Sequence, residues 1–396
     1  MRRPTVCLAL CPLATVVAEG KRPAINDGPK PVSPRLPRHS QPGEHSMKTY
    51  GLLFGILLLG GLANDAVAAT ELKHWPEPAA KQLDALIAAN ANKGAYAVFD
   101  MDNTSYRYDV AEALLPYLEN KGVLTRDKLD PSLKLIPFKD LKGKKESLNS
   151  YYTRLCEFDH RVCYPWAAQA LSGLTLRELK GHLDAMMASG KPVKSDYYDG
   201  DTLRTVEVQP PQLFTGQQEL FKRMMEHGIE VYILTASHEE LVRMVASDPK
   251  YGYNVKPENV IGVSTLLKDR KTGAVTTARR QISEGKYDPE ANLDLEFTPY
   301  LWTPGTWMAG KTAAIQTYID PWKKPILVGG DSPSNDGHML FHSTADDGMR
   351  LWVNRKAKYM DQLEGMIKKN AEAQAKLGQP VRADKNWLVV TPEEIL

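Results

Sequence analysis

The chain has 396 residues, of which 42% are hydrophobic and 25% are charged, the composition of a soluble protein with a sizeable core. Its formal net charge is +2. The whole chain has 50 Lys/Arg and 48 Asp/Glu, and the first 69 residues hold eight and four of them. The rest of the chain therefore has 42 basic and 44 acidic residues. A chain so close to neutral lacks the basic bias of a nucleic-acid-binding protein, and its composition implies no protein partner.

An export signal is predicted at residues 47–69. Lys48 precedes an almost wholly apolar run at 51–62, and Ala66-Val67-Ala68 has the small-residue pattern that a signal peptidase cuts. The apolar run is about a dozen residues long, whereas a bilayer span needs roughly 20. We therefore expect a periplasmic or secreted protein without a permanent membrane anchor.

Residues 1–46 form an extension ahead of this signal. Beyond Gly20 they are rich in Pro, Arg and small polar residues, a composition that cannot bury enough apolar surface to offset the entropy of ordering. We expect disorder there and interpret Met47 as the true start of synthesis. The run 5–18 is a rival signal, interrupted by Pro12, and with either signal the protein leaves the cytoplasm.

Two of the four cysteines, Cys156 and Cys163, lie in the mature chain, where an oxidising compartment would allow them to form a disulfide. In one unbroken helix this spacing puts their Cα atoms about 10.5 Å apart. A disulfide bridges at most roughly 7 Å, so it requires a helix break within 157–162. Two buried thiols are the alternative, and the sequence has no Cys/His cluster of the metal-binding kind.

Short buried strands alternate with helices along the mature chain. After an amphipathic stretch at 76–92, an apolar run predicts the first strand, and similar runs predict four more. The predicted strands are 95–99, 230–234, 259–263, 325–329 and 349–353. Helical patterns between them include 211–227, 238–247 and 311–318. This alternation predicts an α/β fold, a Rossmann-like parallel sheet with helices on both faces.

The first two strands are separated by far more chain than one crossover helix needs. We therefore predict an inserted, mainly α-helical cap at 108–209, with a helical pattern at 174–189, and a catalytic core formed by 70–107 and 210–396. A second excursion at 265–310 carries turn signals and is predicted to be a hairpin and a loop.

Two carboxylates directly follow the first predicted strand, in Asp100-Met101-Asp102-Asn103-Thr104. Open α/β sheets bind ligands beyond the carboxyl ends of their strands. Two carboxylates so close repel each other and a phosphate, a conflict that Mg²⁺ resolves by accepting both kinds of oxygen. Asp100 is then a candidate nucleophile and Asp102 a candidate general acid and base. The alternative is a pair of turn residues.

Polar residues at the other predicted strand ends favour the catalytic interpretation. Thr235 can donate to a phosphoryl oxygen, although it can equally cap a helix. Lys311 can neutralise that oxygen and the nucleophile, although such a lysine is more often a surface residue. Asp331 is placed to bind the metal together with Asp100 and Asp102, and Asp336 to orient Lys311, although both could be turn formers.

With these four features in this order, the chain resembles the haloacid-dehalogenase-like phosphohydrolase superfamily. The run 100–104 matches its nucleophile motif, Thr235 its hydroxyl motif, Lys311 its lysine motif, and Asp331 with Asp336 its acidic loop. The resemblance covers about 95–353 and implies a Rossmann-like core, a helical cap and Mg²⁺. True dehalogenases lack the second carboxylate, Asp102, which favours a phosphatase.

A narrower resemblance is to the bacterial phosphorylcholine phosphatases, carried by 100–108, 151–156 and Gly330-Asp331-Ser332-Pro333. It implies hydrolysis of phosphocholine to choline and phosphate in the periplasm. A quaternary ammonium is bound by aromatic faces and a nearby carboxylate, because it cannot donate a hydrogen bond. The cap is rich in tyrosine and tryptophan, and the predicted headgroup contacts are Glu112, Tyr151 and Tyr152.

Three other functions remain open from the sequence. The core motifs do not contact the leaving group, so phosphoserine or phosphoethanolamine are alternative small phosphomonoester substrates. A non-catalytic exported choline-binding protein could keep the same fold and aromatic cap, but pure binding requires no acid/base residue at Asp102.

Overall fold

The structure is a computed structural model that describes residues 71–141 and 143–396. The predicted extension at 1–46 and the predicted signal at 47–69 lie outside these residues. Among the helices of the described part, none is both long enough and apolar enough to cross a membrane.

The described part contains twelve α-helices and twelve strands. The helices are α1 (Glu77–Asn90), α2 (Val110–Asn120), α3 (Leu148–Phe158), α4 (His160–Gln169), α5 (Leu176–Ser189), α6 (Thr215–Glu226), α7 (Glu239–Ala246), α8 (Ala278–Ser283), α9 (Pro289–Asn292), α10 (Ala309–Tyr318), α11 (Pro333–His342) and α12 (Ala357–Lys376). The strands are β1 (Tyr96–Phe99), β2 (Tyr106–Arg107), β3 (Val193–Asp199), β4 (Thr202–Val208), β5 (Gln212–Leu213), β6 (Glu230–His238), β7 (Val260–Lys268), β8 (Val275–Thr276), β9 (Glu296–Trp302), β10 (Leu327–Gly330), β11 (Met349–Val353) and β12 (Trp387–Val390).

A mostly parallel sheet forms the centre of the fold. Its strands lie in the order β12-β11-β10-β1-β6-β7-β8, and β9 also pairs with β7. The strands β6, β7, β10, β11 and β12 run parallel to β1, while β8 and β9 run antiparallel to β7. The five predicted strands correspond to β1, β6, β7, β10 and β11, so the predicted fold class is confirmed. Within the predicted excursion at 265–310, β7 and β8 form the hairpin.

Alternate residues of β1 face opposite sides of the sheet, as the two-residue period of a strand requires. Phe99 packs against α6, with its ring centroid 4.7 Å from that of Phe221, and belongs to an apolar cluster that includes residues of α1. Val98 belongs to a second apolar cluster, which includes residues of α10, α11 and α12. Because both faces are covered by helices, β1 is wholly buried and its sequence is continuously apolar.

The insertion between β2 and β5 consists of α2 to α5 followed by the hairpin β3–β4. The strands β2 and β5 pair antiparallel, with Tyr106 opposite Leu213, so the chain enters and leaves the insertion at one place. Four helices agree with the expected, mainly helical cap. The hairpin was not predicted, because its residues alternate in burial without a sustained apolar run.

Cys156 and Cys163 form a disulfide, with their Cα atoms 5.0 Å apart. The predicted helix break occurs at Asp159, which is extended and separates α3 from α4. The Asp159 carboxylate accepts a hydrogen bond from the backbone N–H of Arg161, 2.7 Å away, and thereby caps α4. The alternative of two free thiols is wrong.

Candidate active site

The carboxyl ends of β1 and β10 bring Asp100 and Asp331 to the same edge of the sheet. Asp100 directly follows β1, and its N–H donates to the carbonyl of Gly329 at 3.0 Å, which continues the pairing between the two strands. Asp331 directly follows β10. The position of both side chains therefore follows from the order of strands in the sheet.

Lys311 links the two acidic segments. It lies in the first turn of α10 and is fully buried, and its Nζ lies 2.7 Å from Oδ1 of Asp100 and 2.7 Å from Oδ1 of Asp336. Burial acts to lower the pKa of Lys311, but the two carboxylates raise it above its ordinary value. The lysine is therefore a buried cation with two anionic partners, and not the surface residue of the alternative interpretation.

Asp336 shapes the loop after β10 from the first turn of α11. Its Oδ2 accepts hydrogen bonds from the backbone N–H groups of Asp331 and Ser332 at 3.0 and 2.9 Å. Its Oδ1 contacts Lys311. One carboxylate thus contacts both the acidic loop and the lysine, of which only the contact with Lys311 was predicted.

Asp331 lies between a hydroxyl and a guanidinium. Thr104 donates to its Oδ1 at 3.1 Å, and Nε of Arg355 contacts its Oδ2. Burial raises the pKa of Asp331 to about 6, although Arg355 acts to lower it.

The carboxylates of Asp100, Asp331 and Asp336 form a buried cluster, with one oxygen of each within 4.8 Å of the others. Burial, and next the charge of Asp336, raise the pKa of Asp100 well above its ordinary value. A cluster of oxygen ligands with this excess of negative charge fits a hard divalent cation such as Mg²⁺. Asp100 and Asp331 are the better placed of the three to bind it, because Oδ2 of Asp336 uses both lone pairs on two backbone N–H groups and its Oδ1 contacts Lys311.

Asp102 does not belong to this carboxylate cluster, contrary to its predicted role as a metal ligand. Its Oδ1 accepts from Tyr106 and from the N–H of Val110, and its Oδ2 accepts from Ser237 at 2.6 Å. These donors hold the carboxylate of Asp102 outside the cluster. The hydroxyl of Thr235, buried within β6, also lies 3.4 Å from Oδ2 of Asp102.

A cavity of about 360 Å³ opens between the insertion and the sheet edge. Asp100, Asp102 and Asp331 line one side, and Glu112 and Tyr152 line the other. Burial raises the pKa of Glu112, because protein surrounds its carboxylate even though the side chain remains accessible from the cavity. Two of the three predicted headgroup residues therefore face the site.

Tyr151 is not part of the cavity, and its predicted role as a headgroup contact is wrong. Its side chain is fully buried inside the insertion, with ring centroids 4.4 Å from Phe138 and 5.5 Å from Trp166. Its hydroxyl bonds the backbone N–H and carbonyl of Ile136 at 2.9 and 3.0 Å. These contacts satisfy the side chain completely and make Tyr151 a packing residue.

The chain is 70% identical to the phosphorylcholine phosphatase of Pseudomonas aeruginosa over 345 residues, which cover 87% of this chain and 98% of that protein. It belongs to the phosphorylcholine phosphatase family. The predicted enzyme class, phosphoric monoester hydrolase, is confirmed by this membership. No protein-family model matches the chain. A conserved protein of unknown function from Anaerococcus prevotii, 21% identical, superposes with a TM-score of 0.52 over 74% of this chain and 90% of its own, which shows a shared fold.

Several residues that line the cavity were not predicted from the sequence. Arg355 and Ser237 lie at the carboxyl ends of β11 and β6, so the rule that found Asp331 could have found them. Tyr164 and Asp109 also line the cavity, but their side chains are placed there by the packing of α2 and α4, which the sequence pattern does not reveal.

Gly310 is expected to be essential for the position of Lys311. A Cβ at residue 310 would overlap the carbonyl oxygen of Gly305, so Gly310→Ala must displace the start of α10. A displacement of about 1 Å at a reacting group can lower the rate roughly 100-fold, and we expect kcat/KM to fall by about 10- to 100-fold. The matched control is Gly365→Ala in α12, where a Cβ meets nothing within 4 Å. Equal activity of the two variants would contradict this expectation.

Proposed function

We propose that the protein is a Mg²⁺-dependent phosphomonoesterase that acts through an aspartyl-phosphate intermediate. The observation that supports it most is the 2.7 Å contact between Lys311 Nζ and Asp100 Oδ1 at the end of β1, inside a cavity. The ammonium contacts one carboxylate oxygen, and the other oxygen is the proposed nucleophile. It forms a bond to phosphorus while the ester P–O bond breaks.

Asp102 is the proposed proton donor and acceptor. It protonates the departing alkoxide oxygen as the ester bond breaks, and it then removes a proton from the water that attacks the phosphorus of phosphorylated Asp100. This second step releases inorganic phosphate and restores both carboxyl groups to their starting states. Lys311 and the hydroxyl of Thr235 interact with the phosphoryl oxygens in both steps. Asp100 and Asp331 would hold the Mg²⁺, which would supply charge neutralisation for the phosphoryl group.

The proposed substrate is phosphocholine. On the cap side, the cavity is lined by Tyr152 and Tyr164 and by the carboxylates of Asp109 and Glu112. Aromatic faces and carboxylates attract a trimethylammonium group without needing a hydrogen bond from it. The name of the Pseudomonas aeruginosa relative supports the same substrate.

We also propose that the protein is exported. The disulfide between Cys156 and Cys163 supports this location, because such bonds persist in oxidising compartments and are rare in the cytosol.

An assay of the purified protein against four esters tests this function. We expect turnover of phosphocholine, with lower kcat/KM for phosphoethanolamine, phosphoserine and p-nitrophenyl phosphate. Activity should disappear after treatment with a chelator and return when Mg²⁺ is added in excess. Turnover that persists in chelator would rule out the metal-dependent mechanism. If phosphocholine had the lowest kcat/KM of the four esters, the proposed substrate would be wrong.

A further inference from the structure

Asp102 is fixed by hydroxyl groups from two different parts of the molecule. Tyr106 lies in β2, at the attachment of the insertion, and Ser237 lies near the end of β6 in the core. The Tyr106 hydroxyl lies 2.6 Å from Oδ1 of Asp102, and the Ser237 hydroxyl lies 2.6 Å from Oδ2. Each carboxylate oxygen therefore has a short hydrogen bond of its own.

The two carboxylate oxygens of Asp102 differ in whether a lone pair remains free to accept a further hydrogen bond. Oδ1 accepts from Tyr106 and also from the N–H of Val110, 2.9 Å away. A carboxylate oxygen has two lone pairs, so these two donors use the capacity of Oδ1. The N–H of Val110 has no lone pair with which to accept, and the Tyr106 hydroxyl could accept only by turning its own proton away from Asp102 into fully buried surroundings. A proton on Oδ1 would displace one of these bonds.

The hydroxyl that contacts Oδ2 belongs to a residue that lines the cavity. Ser237 lines the cavity together with Asp102, whereas Tyr106 is fully buried behind it. A serine hydroxyl can rotate, so it donates to an ionised Oδ2 and accepts from a protonated one. The hydroxyl of Thr235 also lies 3.4 Å from Oδ2, and its oxygen accepts from the backbone N–H of Ser237. The Ser237 partner of Oδ2 can therefore reverse the direction of its hydrogen bond.

We propose that Tyr106 is a positioning residue that directs the catalytic proton of Asp102 to Oδ2, with Ser237 as the partner that adapts to it. This inference rests on the proposed acid/base role of Asp102. When the ester P–O bond breaks, the proton passes from Oδ2 to the alkoxide oxygen, and Asp102 becomes a carboxylate. When water attacks the phosphorylated Asp100, one water proton returns to Oδ2.

The leaving group provides the test, because an alkoxide needs a proton donor and p-nitrophenolate does not. We expect Tyr106→Phe to lower kcat/KM for phosphocholine by about 10- to 100-fold, and for p-nitrophenyl phosphate by less than about 3-fold. The parameter kcat/KM reports the step in which the ester bond breaks, so slow hydrolysis of the intermediate does not mask the effect.

Tyr253→Phe is the matched control. Tyr253 is also fully buried, and its hydroxyl donates to the carbonyl of Ser105 at 2.7 Å without contacting Asp102. We expect it to leave the ratio of kcat/KM between the two substrates unchanged. Equal losses on both substrates for Tyr106→Phe, or no loss on either, would overturn the inference.

A second variant separates positioning from a general structural effect. In the Asp102→Asn background, Tyr106→Phe should cause no further loss on phosphocholine, because a residue that acts through Asp102 has nothing left to position. Independent, multiplicative losses would overturn the inference even if Tyr106→Phe alone is impaired. If Asp102→Asn itself keeps normal kcat/KM on phosphocholine, the proposed acid/base function fails, an outcome distinct from failure of the Tyr106 assignment.

Discussion

Asp100→Asn is expected to lower kcat for every phosphomonoester by at least about 10³-fold, because the amide cannot attack phosphorus. The loss should be independent of the leaving group, which distinguishes the nucleophile from the proton donor. Steady-state kinetics with phosphocholine and p-nitrophenyl phosphate measure both points. Near-normal activity of the variant would exclude a covalent intermediate on Asp100.

The same substitution should leave the fold intact. Asp100 is buried, and burial together with the charge of Asp336 raises its pKa, so the ionised side chain is electrostatically unfavourable without a metal. The neutral amide removes this repulsion, and Lys311 keeps its contact with Asp336. In the presence of chelator we expect a melting temperature equal to or above that of the unmodified protein. Asp294→Asn, at a side chain that is 78% exposed, is the matched control and should change neither property.

The positions of the proposed catalytic side chains could be predicted because strand ends and helix starts determine them. In a parallel sheet, neighbouring strands end at the same edge, so a polar residue directly after a buried apolar run has a known location. Asp100 and Asp331 follow β1 and β10 in this way. Lys311 lies in the first turn of α10, the helix that precedes β10. No knowledge of side-chain packing was required for these three positions.

The positions of the proposed headgroup residues depend on side-chain packing, which the sequence reveals less well. Tyr151 and Tyr152 are consecutive in α3, so their side chains point about 100° apart around the helix axis. One must face the interior of the insertion when the other faces the cavity. The sequence shows two tyrosines but not the rotation of the helix, which is fixed by contacts of Tyr151 with Trp166 and Ile136.

The orientation of the Asp102 side chain likewise could not be predicted from the sequence. Its position two residues after Asp100 suggests a shared metal, but the chain turns within this loop and Ser105 donates back to the carbonyl of Asp100 at 2.6 Å. The donors that orient Asp102 come from β2, α2 and β6, which are distant in sequence. Long-range contacts of this kind decide the direction of a side chain, whereas sequence spacing gives only its place on the backbone.

Lys311→Met is expected to reduce both stability and activity strongly. Removal of the ammonium leaves the buried carboxylates of Asp100 and Asp336 without their shared cation. Loss of one partner from a buried ion pair costs about 3–5 kcal/mol, and thermal or denaturant unfolding in chelator measures this loss. Lys81→Met, at a side chain that is 74% exposed, is the control and should leave stability nearly unchanged.

A double variant shows whether the destabilisation arises from unpaired charge. Adding Asp336→Asn to Lys311→Met removes one of the two stranded carboxylates, so part of the lost stability should return. The amide oxygen introduced by Asp336→Asn can still accept from both loop N–H groups, but the ammonium of Lys311 remains absent, so activity should stay lost. A double variant that is less stable than Lys311→Met would mean that Asp336 stabilises the loop more than its charge destabilises the site. Stability regained without activity would instead show that Lys311 has two separable functions, to neutralise a buried anionic cluster and to take part in phosphoryl transfer.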